Sequence, residues 1–256
     1  MTLRFSTGLR NNLAGNKGFA STFAKGSINI YSGTQPATAD SPATGTLLGT
    51  ASLSSGALTQ EVRASQTITV AGAAGSINTV SVGGLNIIPD GTVAFSVDAA
   101  TTATALCDAI NRNGLFDATV SGAVVTVLAP RGAGVTYNAV SFATAVTTLT
   151  ATVGAATMSG GVAAVNGLTF AAPASGAVSK SGIWSFNGAV AAGAGTTAGW
   201  FRLVASTVDA GGASTTLERL DGSIAVSGAD MNLSNITIVS GAPNTIDTFT
   251  YTQPAQ

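Results

Sequence analysis

The side chains with which this chain could do chemistry are few. Its acidic residues are Asp40, Glu61, Asp90, Asp98, Asp108, Asp117, Asp209, Glu218, Asp221, Asp230 and Asp247. A carboxylate pair flanking a glycosidic bond can act as acid and base or nucleophile, and such a pair can come from distant positions. Here the carboxylates are scattered, and most adjoin Gly, Pro, Ser or Ala, where an aspartate caps or turns the chain. There is no histidine. That removes Ser-His-Asp and Cys-His nucleophiles, histidine zinc sites and the commonest general base. Cys107 is the single cysteine, so no intrachain disulfide and no thiolate metal cluster can form. The expectation is a chain without catalytic, cofactor-binding or metal-binding residues, and not an enzyme.

The remaining candidates each have a bland reading. Gly132-Ala133-Gly134 and Gly193-Ala194-Gly195 lack the third glycine and the strand-to-helix setting of a phosphate loop. Asp209-Ala210-Gly211-Gly212 reads as a turn, since no calcium loop of the EF-hand type occurs. Trp184 and Phe186, with Trp200 and Phe201, form either a sugar platform or the core-facing pairs of strands. Cys107 falls on the apolar face of a predicted helix and is expected to be a small buried hydrophobe. Lys180, Arg202 and Arg219 stand isolated and are expected at the rim of a contact.

What must position these residues follows from composition and periodicity. Of 256 residues 45% are hydrophobic, enough for folded domains with real cores. Only 8% are charged, against roughly 25% in ordinary globular chains. Thr, Ser, Asn, Gly and Ala must then cover the surface, and such a surface is cheap to desolvate when a partner docks. The net charge of −1 and the absence of Lys/Arg clusters provide no field for nucleic acid. Mean hydropathy is +0.42, but Ala and Gly inflate it. No run of about 18 apolar residues suggests membrane insertion. The opening Met1-Thr2-Leu3-Arg4-Phe5-Ser6 has no apolar core of a signal peptide, so synthesis in a cytoplasm is expected.

Along the chain, Ser6 can cap a helix in which Leu9 and Leu13 share a face near Phe5, and Phe19 and Phe23 mark a further turn or two that Gly26 stops. Ser27–Ser32 alternates as a strand, Gly33–Gly45 is a loop, and Thr46–Leu53 returns as a strand. Strands are predicted over Gln66–Ala71, Ser76–Val82 and Thr92–Val97, with a turn at Pro89-Asp90-Gly91. Asp98 caps a helix over Ala99–Asn113, whose Ala103, Leu106, Cys107 and Ile110 share a face. A hairpin follows across Gly122, pairing Phe116–Ser121 with Ala123–Leu128. Tyr137–Phe142 and Thr147–Val153 close the middle region as strands. After a Gly/Ala-rich connector come short strands over Gly167–Phe170, Gly182–Phe186, Gly199–Ala205, Thr215–Leu220, Ser223–Val226, Ser234–Val239 and Thr245–Thr252, with Asp221-Gly222 as a hairpin signal.

The fold class expected is mainly β. A β-sandwich or jelly-roll-like outer domain, with a short N-terminal helical segment, comprises residues 1–61 plus 165–256. A small α+β domain, residues 62–164, is inserted in it and expected to project.

Several phrases resemble small structural proteins of tailed-bacteriophage virions. They are Leu3-Arg4-Phe5-Ser6-Thr7-Gly8-Leu9-Arg10-Asn11, Phe23-Ala24-Lys25-Gly26 and Ile28-Asn29-Ile30-Tyr31-Ser32-Gly33-Thr34-Gln35-Pro36, with Gly199-Trp200-Phe201-Arg202-Leu203, Leu220-Asp221-Gly222-Ser223-Ile224 and Ala229-Asp230-Met231-Asn232-Leu233 near the other end. The middle region is similar to Thr/Ala/Gly-rich domains inserted in phage sheath, decoration and fibre proteins. The resemblance implies a non-enzymatic virion component located in the particle, most simply a capsid decoration (cement) protein that binds itself and the major capsid protein. A neck, collar or tail protein is the alternative within that class. A receptor- or glycan-binding module, with Phe95, Phe116, Tyr137 and Phe142 as the aromatic residues of its reader, is the alternative from another. The terminal segments Met1–Lys25 and Pro243–Gln256 are expected to reach a neighbour.

Overall fold

In a computed structural model, which describes residues 3–15 and 17–253, the protein is mainly β. The first part of the chain forms β1 (Arg4–Phe5), α1 (Thr7–Ala14), α2 (Phe19–Thr22), β2 (Ser27–Ser32) and β3 (Leu47–Leu53). The middle forms β4 (Ser65–Ala71), β5 (Ser76–Val82), β6 (Leu85–Asn86), β7 (Val93–Ala94), α3 (Ala99–Asn111), β8 (Asp117–Ser121), β9 (Val124–Leu128), β10 (Phe142–Thr147) and β11 (Thr150–Val153). The last part forms β12 (Thr169–Phe170), β13 (Ala177–Ser181), β14 (Trp184–Asn187), β15 (Thr196–Val204), β16 (Arg219–Ala225), β17 (Met231–Asn232), β18 (Thr237–Ile238), β19 (Pro243–Ile246) and β20 (Thr250–Thr252). Two compact units result. The outer one takes Met1–Ala14, Gly18–Glu61 and Ala164–Gln256; the inserted one takes Val62–Ala163 with Gly15–Lys17.

The outer unit is built on a nine-stranded sheet whose main path is β1-β16-β15-β2-β3-β14-β19. A three-stranded sheet, β12-β13-β20, supplies a second layer. The two layers meet through rings. Phe170 stands edge-on to Trp184 at 5.2 Å, and Phe249 lies 5.2 Å from the same indole. Tyr251 stacks on Phe19 at 4.0 Å. Such ring contacts add to the large apolar area each residue removes from water. Ser6 caps α1 by accepting from the Leu9 N–H at 3.1 Å, which sets Leu9 into the same core.

The inserted unit has an aliphatic core. Its two long β segments bend at a corner. β4 pairs with β11 and β5 with β10, so residues 65–82 and 142–153 stay paired on both sides of the bend. The bend needs Gly75 at φ +102°, where a Cβ would meet the Thr147 carbonyl oxygen at 2.0 Å. Helix α3 buries Ala103, Leu106, Cys107 and Ile110 against Ile68, Val125 and Val127 of one sheet. Its start is capped as expected, Asp98 accepting from the Thr101 N–H at 2.7 Å. Beyond its end, Asn113 Oδ1 accepts from both the Leu115 and Phe116 N–H groups, which turns the chain into β8.

Several local expectations need correction. Asp221-Gly222 is no hairpin; both lie inside β16, which runs unbroken from Arg219 to Ala225. Gly222 faces Phe201 across the strands, and a Cβ there would sit 2.5 Å from that ring. The glycine is the space into which a neighbour's ring folds, so it belongs in a strand interior. Tyr137–Phe142 is not a strand: Gly134–Tyr137 is a 3₁₀ turn and β10 begins only at Phe142. Gly134 at φ +54° and Ala139 at φ +65° break the extended backbone there. Thr92–Val97 yields only the two residues of β7, and Thr148 at φ +64° divides β10 from β11. Phe5 lies in β1 opposite Leu220 and packs, with Leu13, against the core that holds Leu9. In their described part the terminal segments also contribute to the protein's own core. Leu9, Phe19, Phe23, Ile246, Phe249 and Tyr251 all belong to the outer unit's own core.

Candidate functional site

The most elaborate side-chain chemistry lies on the second face of the nine-stranded sheet, the face turned away from the aromatic core. Strand alternation creates it. In β15, Phe201 and Leu203 enter the core, so Trp200, Arg202 and Val204 face the other way. In β16, Leu220 and Ile224 enter the core, and Arg219, Asp221 and Ser223 face the other way. Register then aligns them. Arg4 lies opposite Asp221, Asp221 opposite Arg202, Arg202 opposite Asn29, and Asn29 opposite Thr50. One cross-strand row thus runs over five strands. The next row sets Ser223, Trp200 and Tyr31 side by side, with the Tyr31 and Trp200 rings stacked at 4.4 Å.

The centre of the row is buried and paired. Arg202 is 1% exposed and holds Asp221 through two bonds, Nε to Oδ1 and Nη2 to Oδ2, each 2.7 Å. Arg219, fully buried, holds Asp209 through two bonds of 2.6 Å. The Arg202 guanidinium also lies over the Trp200 ring, 5.5 Å from its centre. Burial pushes the Asp221 carboxyl above the ordinary aspartate value, against the opposing pull of the Arg202 bonds and of the charges on Arg202, Arg219 and Arg4. Burial likewise raises the Tyr31 phenol, with Arg202 pulling against it.

Above this face lies the loop between β2 and β3. Three sheet arginines donate to its carbonyls: Arg4 Nη1 to Gln35 at 3.3 Å, Arg219 Nη1 to Ala39 at 3.4 Å and Arg202 Nη2 to Ser41 at 3.1 Å. The Thr7 N–H and hydroxyl both donate to the Asp40 carboxylate, at 2.8 and 2.7 Å. The segment after β15 is stitched to the same loop, Ala43 N–H to the Gly211 carbonyl at 2.8 Å and Ser214 N–H to the Asp40 carbonyl at 2.9 Å. A planar guanidinium can serve a carboxylate with one edge and a carbonyl with another, which lysine cannot. The arrangement fixes a long, threonine- and alanine-rich loop in one conformation.

This overturns the expectation that Arg202 and Arg219 are rim charges; they are among the most buried side chains of the protein. It also places the Asp209 carboxylate on Arg219, with Oδ1 accepting from the Gly211 N–H at 2.8 Å to form the expected turn. Lys180 alone of the three isolated cations stays partly exposed, its ammonium 3.4 Å from the Gly182 carbonyl. The sugar-platform reading fails on burial. Trp184, Trp200 and Phe201 are wholly buried and Phe186 nearly so. In the inserted unit Phe116 and Phe142 are buried, while Phe95 and Tyr137 pack partly buried against its core.

Most of the other carboxylates have structural partners as well. Glu61 accepts from the Ser206 hydroxyl at 2.5 Å, Glu218 from Asn12 at 3.0 Å, Asp230 from the Ser223 N–H and hydroxyl, and Asp247 from Thr245 at 2.9 Å. Asp117 is ion-paired with Arg63 at 2.5 Å and with Lys17, and the exposed Asp90 with Arg112. Cys107 is buried, and burial pushes its thiol above the ordinary value. Among the described residues no group of three or more His, Cys, Asp or Glu side chains is placed to hold a metal ion, and no helix is long and apolar enough to cross a membrane. The signal that could have found the arginine row is the phrase Arg202 and Asp221 in strands rich in aromatic and aliphatic residues, where a charge must be paired to be buried.

No protein-family model matches the chain, and no curated protein matches it.

Proposed function

We propose that this chain is a non-enzymatic structural protein of a tailed-bacteriophage virion, a decoration (cement) protein that binds the major capsid protein and its own copies. The observation that carries the reading is where the charges are. Of the charged side chains, those exposed are Arg10, Asp230 and Asp247 in the outer unit and Asp90, Asp98, Asp108 and Arg112 in the inserted one. The rest are buried or half-buried, most of them in ion pairs or hydrogen bonds. The surface is therefore poorer in charge than the composition itself, and a partner can dock on it without stripping water from ions.

A second feature supports the same reading. The polar investment of the outer unit goes into holding loops still, through Arg4, Arg202, Arg219 and the Thr7–Asp40 bonds. A pre-ordered surface loses little conformational entropy on binding. Many identical weak contacts over a shell then add up to a large stabilisation of the particle. The phrases that resemble phage structural proteins fall in the strands, loops and first helix of this unit.

The test is electron cryo-microscopy of the intact particle encoded with this gene. Density for the chain on the shell, between capsomers, is the expected result. Density confined to the neck or tail replaces the cement role by the neck or tail role, and absence from the particle overturns the reading.

A further inference from the structure

Three side chains beneath the loop between β2 and β3 are buried with polar atoms that the protein itself does not satisfy. Trp200 is wholly buried, Arg202 is 1% exposed and Gln35 5%. Among the described residues, the Trp200 indole Nε1, Arg202 Nη1 and both polar atoms of the Gln35 amide, Nε2 and Oε1, have no hydrogen-bond partner. The three residues belong to one neighbourhood. The Arg202 guanidinium lies over the Trp200 ring, and the Tyr31 ring stacks on the same indole. Gln35 follows Tyr31 by four residues, and its carbonyl accepts from Arg4, which lies opposite Asp221, the carboxylate that Arg202 holds.

Buried polar groups in folded proteins are almost always hydrogen-bonded, because an unmade bond leaves the cost of desolvation without return. The acceptors nearest these donors are already engaged. Asp221 Oδ1 and Oδ2 accept from Arg202 Nε and Nη2, and the Ser41 carbonyl accepts from the same Nη2. Asn29 Oδ1, on the strand beside Arg202, accepts from the Thr50 hydroxyl.

The inventory of unmet atoms selects what can serve them. An indole and a guanidinium only donate, whereas an amide both donates and accepts. The partner must therefore accept from nitrogen and also give a proton to Gln35 Oε1. A halide accepts but cannot donate. Asp221 moreover already matches Arg202 charge for charge, so a further buried anion would stand uncompensated. A metal cation finds only N–H groups on Trp200 and Arg202. Water, with two lone pairs and two protons, fits the whole set, and buried waters typically make about three hydrogen bonds to groups of this kind.

We propose that ordered water, buried beneath the β2–β3 loop, joins the Trp200 indole and the Arg202 guanidinium to the Gln35 amide. Gln35 carries the only amide side chain between β2 and β3, so this water is the side-chain counterpart of the arginine bonds to the loop carbonyls. The site is independent of any role in a particle.

The test is a crystal structure of the full-length chain at a resolution that shows ordered solvent, with a parallel bromide soak and nuclear magnetic resonance of the indole N–H. The expected result is water density at about 2.7–3.2 Å from Trp200 Nε1 and Arg202 Nη1, continued by hydrogen bonds to the Gln35 amide. The Trp200 indole proton is expected to show a cross-peak to long-lived water. Gln35→Met, which keeps the length of the side chain and removes the amide, is expected to lose that cross-peak, and circular dichroism checks that the variant is folded. Trp200 Nε1 and Arg202 Nη1 bonded directly to protein acceptors overturn the site. An anomalous bromide peak between them assigns it to an anion instead. A cross-peak unchanged in folded Gln35→Met shows that the water does not reach the loop and overturns the bridge. The first two readouts are made on the parent chain and stand even if the variant fails to fold.

Discussion

The two units solve the same problem with opposite materials. The outer unit places rings in its core, Trp184, Phe186, Phe201 and Phe249 among them, and lays a buried charged row on the other face of its main sheet. The inserted unit packs mostly Ile, Val, Leu and Ala against a single helix; it has one buried arginine, Arg63, paired with Asp117 and donating to the Ala129 carbonyl, while asparagine and aspartate finish several of its other ends. Asn111 shows the contrast. Its side-chain amide donates to the Ala118 carbonyl at 3.0 Å and accepts from the Ala118 N–H at 2.8 Å, as a neighbouring strand would. It thereby occupies part of the open edge at β8. Asn138 does the same for Gly161. Neutral amides cost little to bury and finish a local edge; arginine–aspartate pairs cost much more and are found where distant segments must be held together.

The comparison can be broken most forcefully at Asp221. Asp221→Ala leaves Arg202 buried without its carboxylate and is expected to cost about 3–5 kcal/mol. In calorimetry the loss should fall on the unfolding of the outer unit alone. A loss below about 1 kcal/mol would mean that the row behaves like a solvent-exposed pair. Next in size is Leu106→Ala on α3, expected to cost about 2–5 kcal/mol through the cavity it leaves, with only the inserted unit's transition lowered. If both substitutions shift one common transition, the units do not unfold separately.

A smaller effect is expected at the β8 edge. Asn111→Ala frees the N–H and carbonyl of Ala118 and should cost about 1–3 kcal/mol, with faster amide hydrogen exchange at Ala118 as the direct readout. Exchange unchanged at that amide would show that the side chain does not guard the edge.

The smallest effect is a pH dependence at the helix cap. The Thr101 N–H holds the Asp98 carboxyl below its ordinary value of 3.8. A carboxyl lowered on folding contributes stability above the unfolded value, and that contribution is lost as pH falls through the folded value. The gap in stability between the parent and Asp98→Ala should therefore be widest near neutral pH and narrow below pH 3.8. A gap that widens in acid would reverse the assignment of the cap.

What could be read in the sequence was local. Ser27–Ser32 and Ser76–Val82 are strands over those very residues, because alternation of apolar and polar side chains is a property of neighbouring positions. The Asp98 cap, the buried face of α3 and the hairpin across Gly122 were legible for the same reason. The run from Tyr137 to Phe142 was not, since its turn depends on Asn138 bonding to Gly161, twenty-three residues away. Asp221-Gly222 misled because the pair favours a tight turn in isolation, and only the ring of Phe201 on the adjacent strand shows why glycine is there.

By itself, then, the sequence determined the mainly-β class and the set of reactive side chains: β periodicity, the absence of histidine, one cysteine and few charges are all countable in one dimension. The tertiary structure alone decided where those few charges go. Arg4, Arg202, Arg219 and Asp221 are spread over more than two hundred residues, and strand register brings them to one face, where Arg219 also holds Asp209 of the loop between β15 and β16. Register is a matter of which strands meet, and a burial cost that only a partner across the sheet can offset has no signature in the spacing of the residues that bear it.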